Sequence, residues 1–379
     1  MNEVRAIAIV LVAAITAALL TPLVIRFARR VGALDRPNER KVSRREVMPL
    51  MGGLAVGCGC GMGLSLAMLI VPEVLPAGRI LGFVLGGVIL MLVGAWDDRF
   101  TLSAFSKLAF QLLAAAVAVQ AGFRVDLFSD PITAQTFDVP GWIMWPISLV
   151  WIVGVTNAMN LIDGLDGLSA GLGAIIAATL SIICWQGGQP VGVVIGLALL
   201  GALLGYLPYN FPPARIFLGD TGSLLIGFAL SLLALEGYRK TAFLAFIVPI
   251  LALAIPLLDT ALSIVRRLRT GRGVFSPDNL HMHHRLLHRE GSHKNAVLML
   301  YFLTGCFCMI AVSFSQIDAG WLAFVYLAAV VAVTIRLLRN LGAFSLEVQS
   351  GSSVEAACSE EVGPGETSAG ATSEGDTSL

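Results

Sequence analysis

Long apolar runs separated by short polar stretches dominate the chain. Each run is about 20 residues, the length of an α-helix that crosses a bilayer. None shows the roughly 10-residue alternation of barrel strands. Eleven such segments are predicted, near residues 4–27, 49–71, 79–95, 104–121, 142–155, 169–185, 191–207, 221–235, 241–265, 296–314 and 319–337. The expected fold is an all-α integral membrane protein, a bundle of about eleven transmembrane helices. Composition agrees: 56% of residues are hydrophobic, 13% are charged and the mean hydropathy is +0.83, whereas a soluble domain carries about 25% charge. Nucleic acid is not an expected partner of such a chain.

Charge sets the orientation. With an odd number of crossings, twenty of the 25 Lys and Arg fall on the side that carries the C-terminus, leaving Arg5, Arg79, Arg124, Arg239 and Lys240 opposite. The positive-inside rule makes the richer side cytoplasmic and the N-terminus external. The formal charge of zero hides an asymmetry, because the chain after Asn340 holds acids and no Lys or Arg. Residues 341–379 therefore read as a disordered acidic cytoplasmic tail after a transmembrane domain at 1–340. The six cysteines show no metal or disulfide spacing and read as small apolar residues.

Against this apolar background the acidic stretches stand out, since carboxylates at the ends of spans persist where they face a polar cavity. All of them are predicted on the cytoplasmic side. Asp97 and Asp98 are adjacent, and two confined carboxylates either share a nearby cation or have one pKa raised. Ser103 is placed to cap the next helix, which puts Lys107 one turn in, near an N-terminal end that attracts phosphate. In the stretch 157–168 the polar oxygens of Asn157, Asn160, Asp163 and Asp166 recur every third residue. Gly164 and Gly167 are expected to break the helix there, so that these oxygens converge. Asn and Asp oxygens suit Mg²⁺, with substrate phosphates completing its shell. Asp220 sits between two glycines at the start of a span, and Phe217 could stack on a flat base. The loop 266–295 holds all five histidines, with His281, His283 and His284 clustered after Arg266, Arg267, Arg269 and Arg272. Without cysteines at finger spacing, a cationic cradle for a diphosphate fits this loop better than Zn²⁺. In the first loop, Pro37 and the Gly52-Gly53 pair suggest a fixed turn and a close backbone approach. Acids and amides for a divalent cation beside Lys, Arg and His for phosphates describe phosphoryl transfer.

These motifs, in this order, resemble those of the polyprenyl-phosphate N-acetylhexosamine-1-phosphate transferases. The resemblance covers 35–301 and rests on Asp35-Arg36-Pro37-Asn38, Met51-Gly52-Gly53, Asp97-Asp98, the stretch 157–167, Phe217-Leu218-Gly219-Asp220-Thr221-Gly222-Ser223 and His281-Met282-His283-His284. Ser276-Pro277-Asp278 favours the undecaprenyl-phosphate GlcNAc-1-phosphate branch over the phospho-N-acetylmuramoyl-pentapeptide transferases. The resemblance implies an eleven-helix plasma-membrane enzyme, paired as a homodimer, with a cytoplasmic Mg²⁺ site that accepts Mn²⁺. Its substrates would be undecaprenyl phosphate and a UDP-N-acetylhexosamine, its products the lipid diphosphate-sugar and UMP. The lipid product would begin a cell-envelope polysaccharide such as O-antigen or teichoic-acid linkage. By the same resemblance Asp220 and Asn160 would bind the metal, and Asp97, with Asp98 and Lys107, would act on the lipid phosphate. Asp163 would support the metal and phosphates. Asn157, Gly164, Leu165, Asp166 and Phe217 would hold the nucleotide, and Arg267, His281, His283 and His284 the diphosphate or sugar. Relatives usually carry a His shortly after the Arg40-Lys41 pair, where this chain has Val42-Ser43. The rival from another class is an ion-coupled transporter, which predicts carboxylates near the bilayer midplane.

Overall fold

The computed structural model describes residues 2–35, 47–125, 127–129, 136–237, 247–271, 286, 292–315 and 320–340. The chain forms one unit over Met1–Ala332 and a second from Val333, of which the described part is the end of the last helix. The helices are α1 (Glu3–Val31), α2 (Gly53–Ile70), α3 (Ala77–Phe100), α4 (Ala104–Gln120), α5 (Gly141–Ile162), α6 (Leu168–Gln186), α7 (Pro190–Asn210), α8 (Gly219–Gly237), α9 (Ile247–Ala252), α10 (Ala254–Arg269), α11 (His293–Phe314) and α12 (Gly320–Asn340). Two small antiparallel ribbons lie between helices. In one, Leu34 and Asp35 pair with Pro49 and Met48; in the other, Leu127–Ser129 pairs with Thr136–Asp138.

Among the described residues, eight helices are long and apolar enough to cross a membrane, and α4 is a shorter apolar helix. The protein is thus an all-α, multi-pass membrane protein. Its packing is that of a lipid-solvated bundle. Along α1 the large side chains of Val4, Ile7, Leu11, Ile15, Leu19 and Leu23 face outward, while Ala13, Ala17 and Thr21 are buried. Small residues on the inner face let backbones approach closely, which is how helices associate when lipid removes the hydrophobic drive between them. A Cβ at Gly205 would stand 2.0 Å from the carbonyl oxygen of Ala14, and one at Gly59 2.7 Å from that of Ala13. The centre of the bundle is α8, buried along nearly its whole length and flanked by α3, α5 and α6.

The ninth expected span, 241–265, is not one helix over its described part. It divides at Leu253 into α9 and α10. Pro256 has no N–H to give the carbonyl of Ala252, so the helical ladder fails one turn earlier. The thiol of Cys308 on α11 approaches that oxygen at 3.8 Å instead. A second departure concerns α5, which does not end near 155 but continues through Asn157 and Asn160 to Ile162.

Candidate active site

The ends of α3, α5 and the beginnings of α4 and α8 meet at one place, and most of the polar residues singled out above gather there. Ser103 caps α4, its Oγ accepting from the Ser106 amide at 3.1 Å. This starts the helix so that Lys107 stands one turn in. The Lys107 ammonium donates to Asp97 Oδ2 at 2.7 Å and to Asp220 Oδ2 at 2.8 Å. One cation thus joins carboxylates 123 positions apart in sequence, on α3 and α8. Asp97 is also held by its own turn, since Oδ1 accepts the Leu102 amide.

Asp98 points elsewhere than its neighbour. It reaches the N-terminus of α8, accepting from the Asp220 amide at 2.8 Å, the Thr221 amide at 3.3 Å and the Thr221 hydroxyl at 2.6 Å. The first turn of a helix carries unpaired N–H groups and partial positive charge. A carboxylate from another helix satisfies both, and so fixes where Asp220 stands. Gly219 permits this: its φ is +70°, and a Cβ there would lie 2.4 Å from Asp98 Oδ2.

On α5 the Asn160 amide nitrogen donates to Asp220 Oδ1 at 3.0 Å and to Ser223 Oγ at 2.8 Å. Asn157, one turn earlier, is committed to α4. Its Nδ2 donates to Gln111 Oε1 at 2.7 Å and to the Val153 carbonyl at 2.8 Å, and Gln111 returns a bond of 3.4 Å. Gln111 lies one helical turn beyond Lys107 and is buried. A lone amide on an otherwise apolar stretch was the available signal for it, and sequence reasoning passed it over. Asp163 ends α5 outside the helix. Although the residue reaches the surface in part, protein packs closely around its carboxyl. That burial, with the carboxylates of Asp220 and Asp98, pushes it well above the usual carboxylate range.

Beyond Asp163 the chain turns, with Gly164 exposed and Leu165 buried, and Gly167 at φ +73° opens α6. Asp166 is buried, and its Oδ2 accepts the Ala214 amide at 3.1 Å, tying this turn to the 211–218 segment. Tyr301 of α11 donates its hydroxyl to the Gly167 carbonyl and rests against Gly171, where a Cβ would lie 2.0 Å from the phenol. Phe217 is half-buried and its backbone is stitched to the first ribbon. The Phe217 amide donates to Pro49 O, and the Gly52 and Gly53 amides donate to Phe217 O and Leu218 O, all at 2.9–3.0 Å. The Gly52-Gly53 pair is the close approach expected of it: a Cβ on Gly53 would meet the Gly222 nitrogen at 2.2 Å. Arg267 is buried in the last turn of α10. His281, His283, His284 and the first-loop residues 36–46 lie outside the described residues.

The structure therefore brings Asp97, Asp98, Lys107, Asn160 and Asp220 into one hydrogen-bonded cluster, with Asp163 in electrostatic reach. Three carboxylates lie in this cluster, and Lys107 pairs with two of them, Asp97 and Asp220. Their oxygen donors, with the Asn160 amide, are the ligand chemistry of a hard divalent cation. Among the described residues no three His, Cys, Asp or Glu converge as a complete protein cage. A cation held by few protein ligands and by substrate phosphates fits the donor set; a Zn²⁺-type centre does not.

A cluster of carboxylates, amide and lysine where the helix ends of an apolar bundle meet defines a membrane enzyme acting on phosphate groups. The description of glycosyl transferase family 4 matches residues 80–238, which include every member of the cluster. The chain is 37% identical, over 82% of its length and 85% of the relative's, to a probable undecaprenyl-phosphate N-acetylglucosaminyl 1-phosphate transferase of Bacillus subtilis. It is 37% identical to the decaprenyl-phosphate N-acetylglucosaminephosphotransferase of Mycolicibacterium smegmatis, over 86% of this chain and 87% of that one. With the undecaprenyl-phosphate alpha-N-acetylglucosaminyl 1-phosphate transferase of Escherichia coli it shares 30% identity, over 81% and 85%. The chain belongs to glycosyl transferase family 4, among its polyprenyl-phosphate N-acetylhexosamine-1-phosphate transferases.

Proposed function

We propose that this enzyme transfers N-acetylglucosamine 1-phosphate, or a related N-acetylhexosamine 1-phosphate, from a UDP-sugar to undecaprenyl phosphate. An oxygen of the lipid phosphate attacks the β-phosphorus of the nucleotide sugar. The bond from that phosphorus to the bridging oxygen breaks, and UMP leaves with the electron pair. The observation that carries this reading is Lys107 bridging Asp97 and Asp220, which joins a phosphate-attracting cation, a base and a candidate metal ligand in one cluster.

Asp97 orients the lipid phosphate and takes its proton where one is present, and Lys107 neutralises charge on the reacting phosphates. Asp98 positions Asp220 from behind. Asp220 and Asn160 would hold Mg²⁺, with Asp163 supporting it; Mn²⁺ is the expected substitute. Held there, the cation would supply charge neutralisation of the diphosphate, where positioning and electrostatics do most of the catalytic work. The turn at Gly164 and Leu165, with Phe217, frames the uridine, and Asp166 braces that turn through Ala214. Asn157 acts through Gln111 rather than on substrate. Arg267 and the three clustered histidines would meet the diphosphate or sugar. Eleven crossings, counting the divided α9–α10 segment, α4 and α12, would put this cluster on the cytoplasmic face of the plasma membrane, where UDP-sugars are made.

Purified protein with Mg²⁺, UDP-GlcNAc and undecaprenyl phosphate should release UMP, and Asp220→Ala should remove nearly all of that release. Unchanged release by the variant would defeat the assignment of Asp220.

A further inference from the structure

Ser223 lies one turn into α8, fully buried, and its hydroxyl is spent in a specific way. It donates to the Gly219 carbonyl, four residues back, at 3.1 Å. A serine bonded to its own helix in this manner is neutral to unfavourable for helix stability, and alanine is the better helix former. The helical backbone of α8 thus has little need of the hydroxyl. With its hydrogen committed to Gly219, Ser223 Oγ can only accept from Asn160. The other neighbour of that amide, the Asp220 carboxylate, also only accepts. Both contacts demand the amide nitrogen, at 2.8 and 3.0 Å. The amide oxygen, on the other branch of the side chain, is then left clear of both contacts. Among the described residues Asn160 Oδ1 accepts no hydrogen bond.

We propose that Ser223 is a positioning residue that fixes the Asn160 amide with Oδ1 turned into the site, the face a hard divalent cation requires. The proposal rests on the reading of Asn160 and Asp220 as metal ligands and adds the group that orients one of them. Asp220 alone cannot do so through turnover, because its Oδ2 is held by Lys107 and its carboxylate is drawn to any bound cation. Ser223 keeps its polarity whatever Asp220 does. No water can replace it, since the hydroxyl is sealed from solvent.

The test is Mn²⁺ binding alone, followed by electron paramagnetic resonance on the full chain in detergent, with no nucleotide or lipid. Loss of a group that orients a metal ligand weakens affinity by about 10-fold or more. Ser223→Ala should show that loss while melting like the wild type in metal-free buffer. Ser223→Thr, which keeps the hydroxyl, should bind like the wild type. In turnover, Ser223→Ala should raise the Mg²⁺ concentration for half-maximal UMP release by a similar factor and leave kcat at saturating Mg²⁺ little changed. Wild-type Mn²⁺ affinity in Ser223→Ala, with binding abolished in Asp220→Ala, overturns the proposal. So does an equal fall in kcat at every Mg²⁺ concentration. No binding by the wild type, or unchanged binding by Asp220→Ala, overturns instead the metal assignment beneath it.

Discussion

Replacing Asp98 by Asn tests whether this residue positions the site or reacts in it. The carboxylate receives three hydrogen bonds from the first turn of α8: from the Asp220 amide, the Thr221 amide and the Thr221 hydroxyl. An asparagine keeps one acceptor oxygen and turns an NH₂ toward the other donors, so at least one bond is lost and two donors face each other. Hydrogen bonds to a charged group contribute about 1.5–3 kcal/mol each, and a charge at a helix N-terminus about 0.3–1 kcal/mol more. The expected loss is roughly 2–4 kcal/mol. Because the same amides carry Asp220, a displacement of α8 reaches the reacting phosphates, and a shift of about 1 Å can lower a rate about 100-fold. Thermal unfolding in detergent and UMP release on the same preparations measure both effects. Asp98→Asn should melt several degrees lower and turn over about 100-fold slower. Gly219→Ala, which drives a Cβ into the same carboxylate, should reproduce both changes without altering charge. A rate lost with the melting temperature intact would mean that Asp98 touches substrate. Wild-type values for both would refute the reasoning.

Three further outcomes follow from single contacts. Thr101 holds φ at +54° with ψ at 101°, a positive-φ conformation unfavourable for a β-branched residue; Thr101→Gly should stabilise the protein by about 1 kcal/mol in denaturant titration, and no gain would remove the strain. Tyr301→Phe deletes the hydroxyl bond to Gly167 and should destabilise by about 1 kcal/mol, raising the KM for the UDP-sugar more than it lowers kcat; an unchanged KM would dissociate Tyr301 from the turn proposed to frame the uridine. Asp163 has a folded pKa well above its ordinary value, so the folded state binds more protons and stability falls as pH rises from the usual carboxylate range through that raised pKa. In metal-free buffer Asp163→Asn should therefore match the wild type near pH 4 and melt higher near pH 8, and parallel profiles would contradict the shift.

What was readable in the chain, and what was not, divides by range. Segment length and the absence of alternation sufficed for the all-α membrane class, because crossing a bilayer constrains every span alone. Ser103 as a cap and Gly52-Gly53 as a close approach were readable because each depends on neighbours in sequence or on lacking a side chain. The convergence of Asp97 with Asp220 was foreseen only as a shared side of the membrane. That Lys107 joins them, and that adjacent Asp97 and Asp98 turn to different helices, depends on how α3, α4 and α8 cross, which no local pattern encodes. Asn157 and Asn160 part for a related reason. Their regular spacing suggests one ligand set, but α5 stays helical through both, and positions 157 and 160 are about 300° apart around the axis, a difference of roughly 60°. That offset is enough to send one amide to Gln111 and the other to Asp220.

The precision of the cluster comes from backbone contact more than from side-chain packing. At the start of α8 the chain is wedged where side chains cannot fit. A Cβ on Gly94 of α3 would lie 2.4 Å from the Thr221 nitrogen, and one on Gly53 of α2 would lie 2.2 Å from the Gly222 nitrogen. Backbone against backbone leaves no rotamer to adjust, so α2 and α3 set the height and angle of the first turn of α8 directly. Asp98 then locks that turn by its amides, and Arg79 and Glu236 pair at 3.1 Å near the other ends of α3 and α8. An antiparallel helix pair pinned at both ends cannot slide by a turn. The two carboxylates bridged by Lys107, one on each helix, are therefore held in register by contacts made well outside the cluster itself. This is the arrangement expected where the chemistry is mostly positioning: flexible side chains do the binding, and rigid backbone decides where they stand.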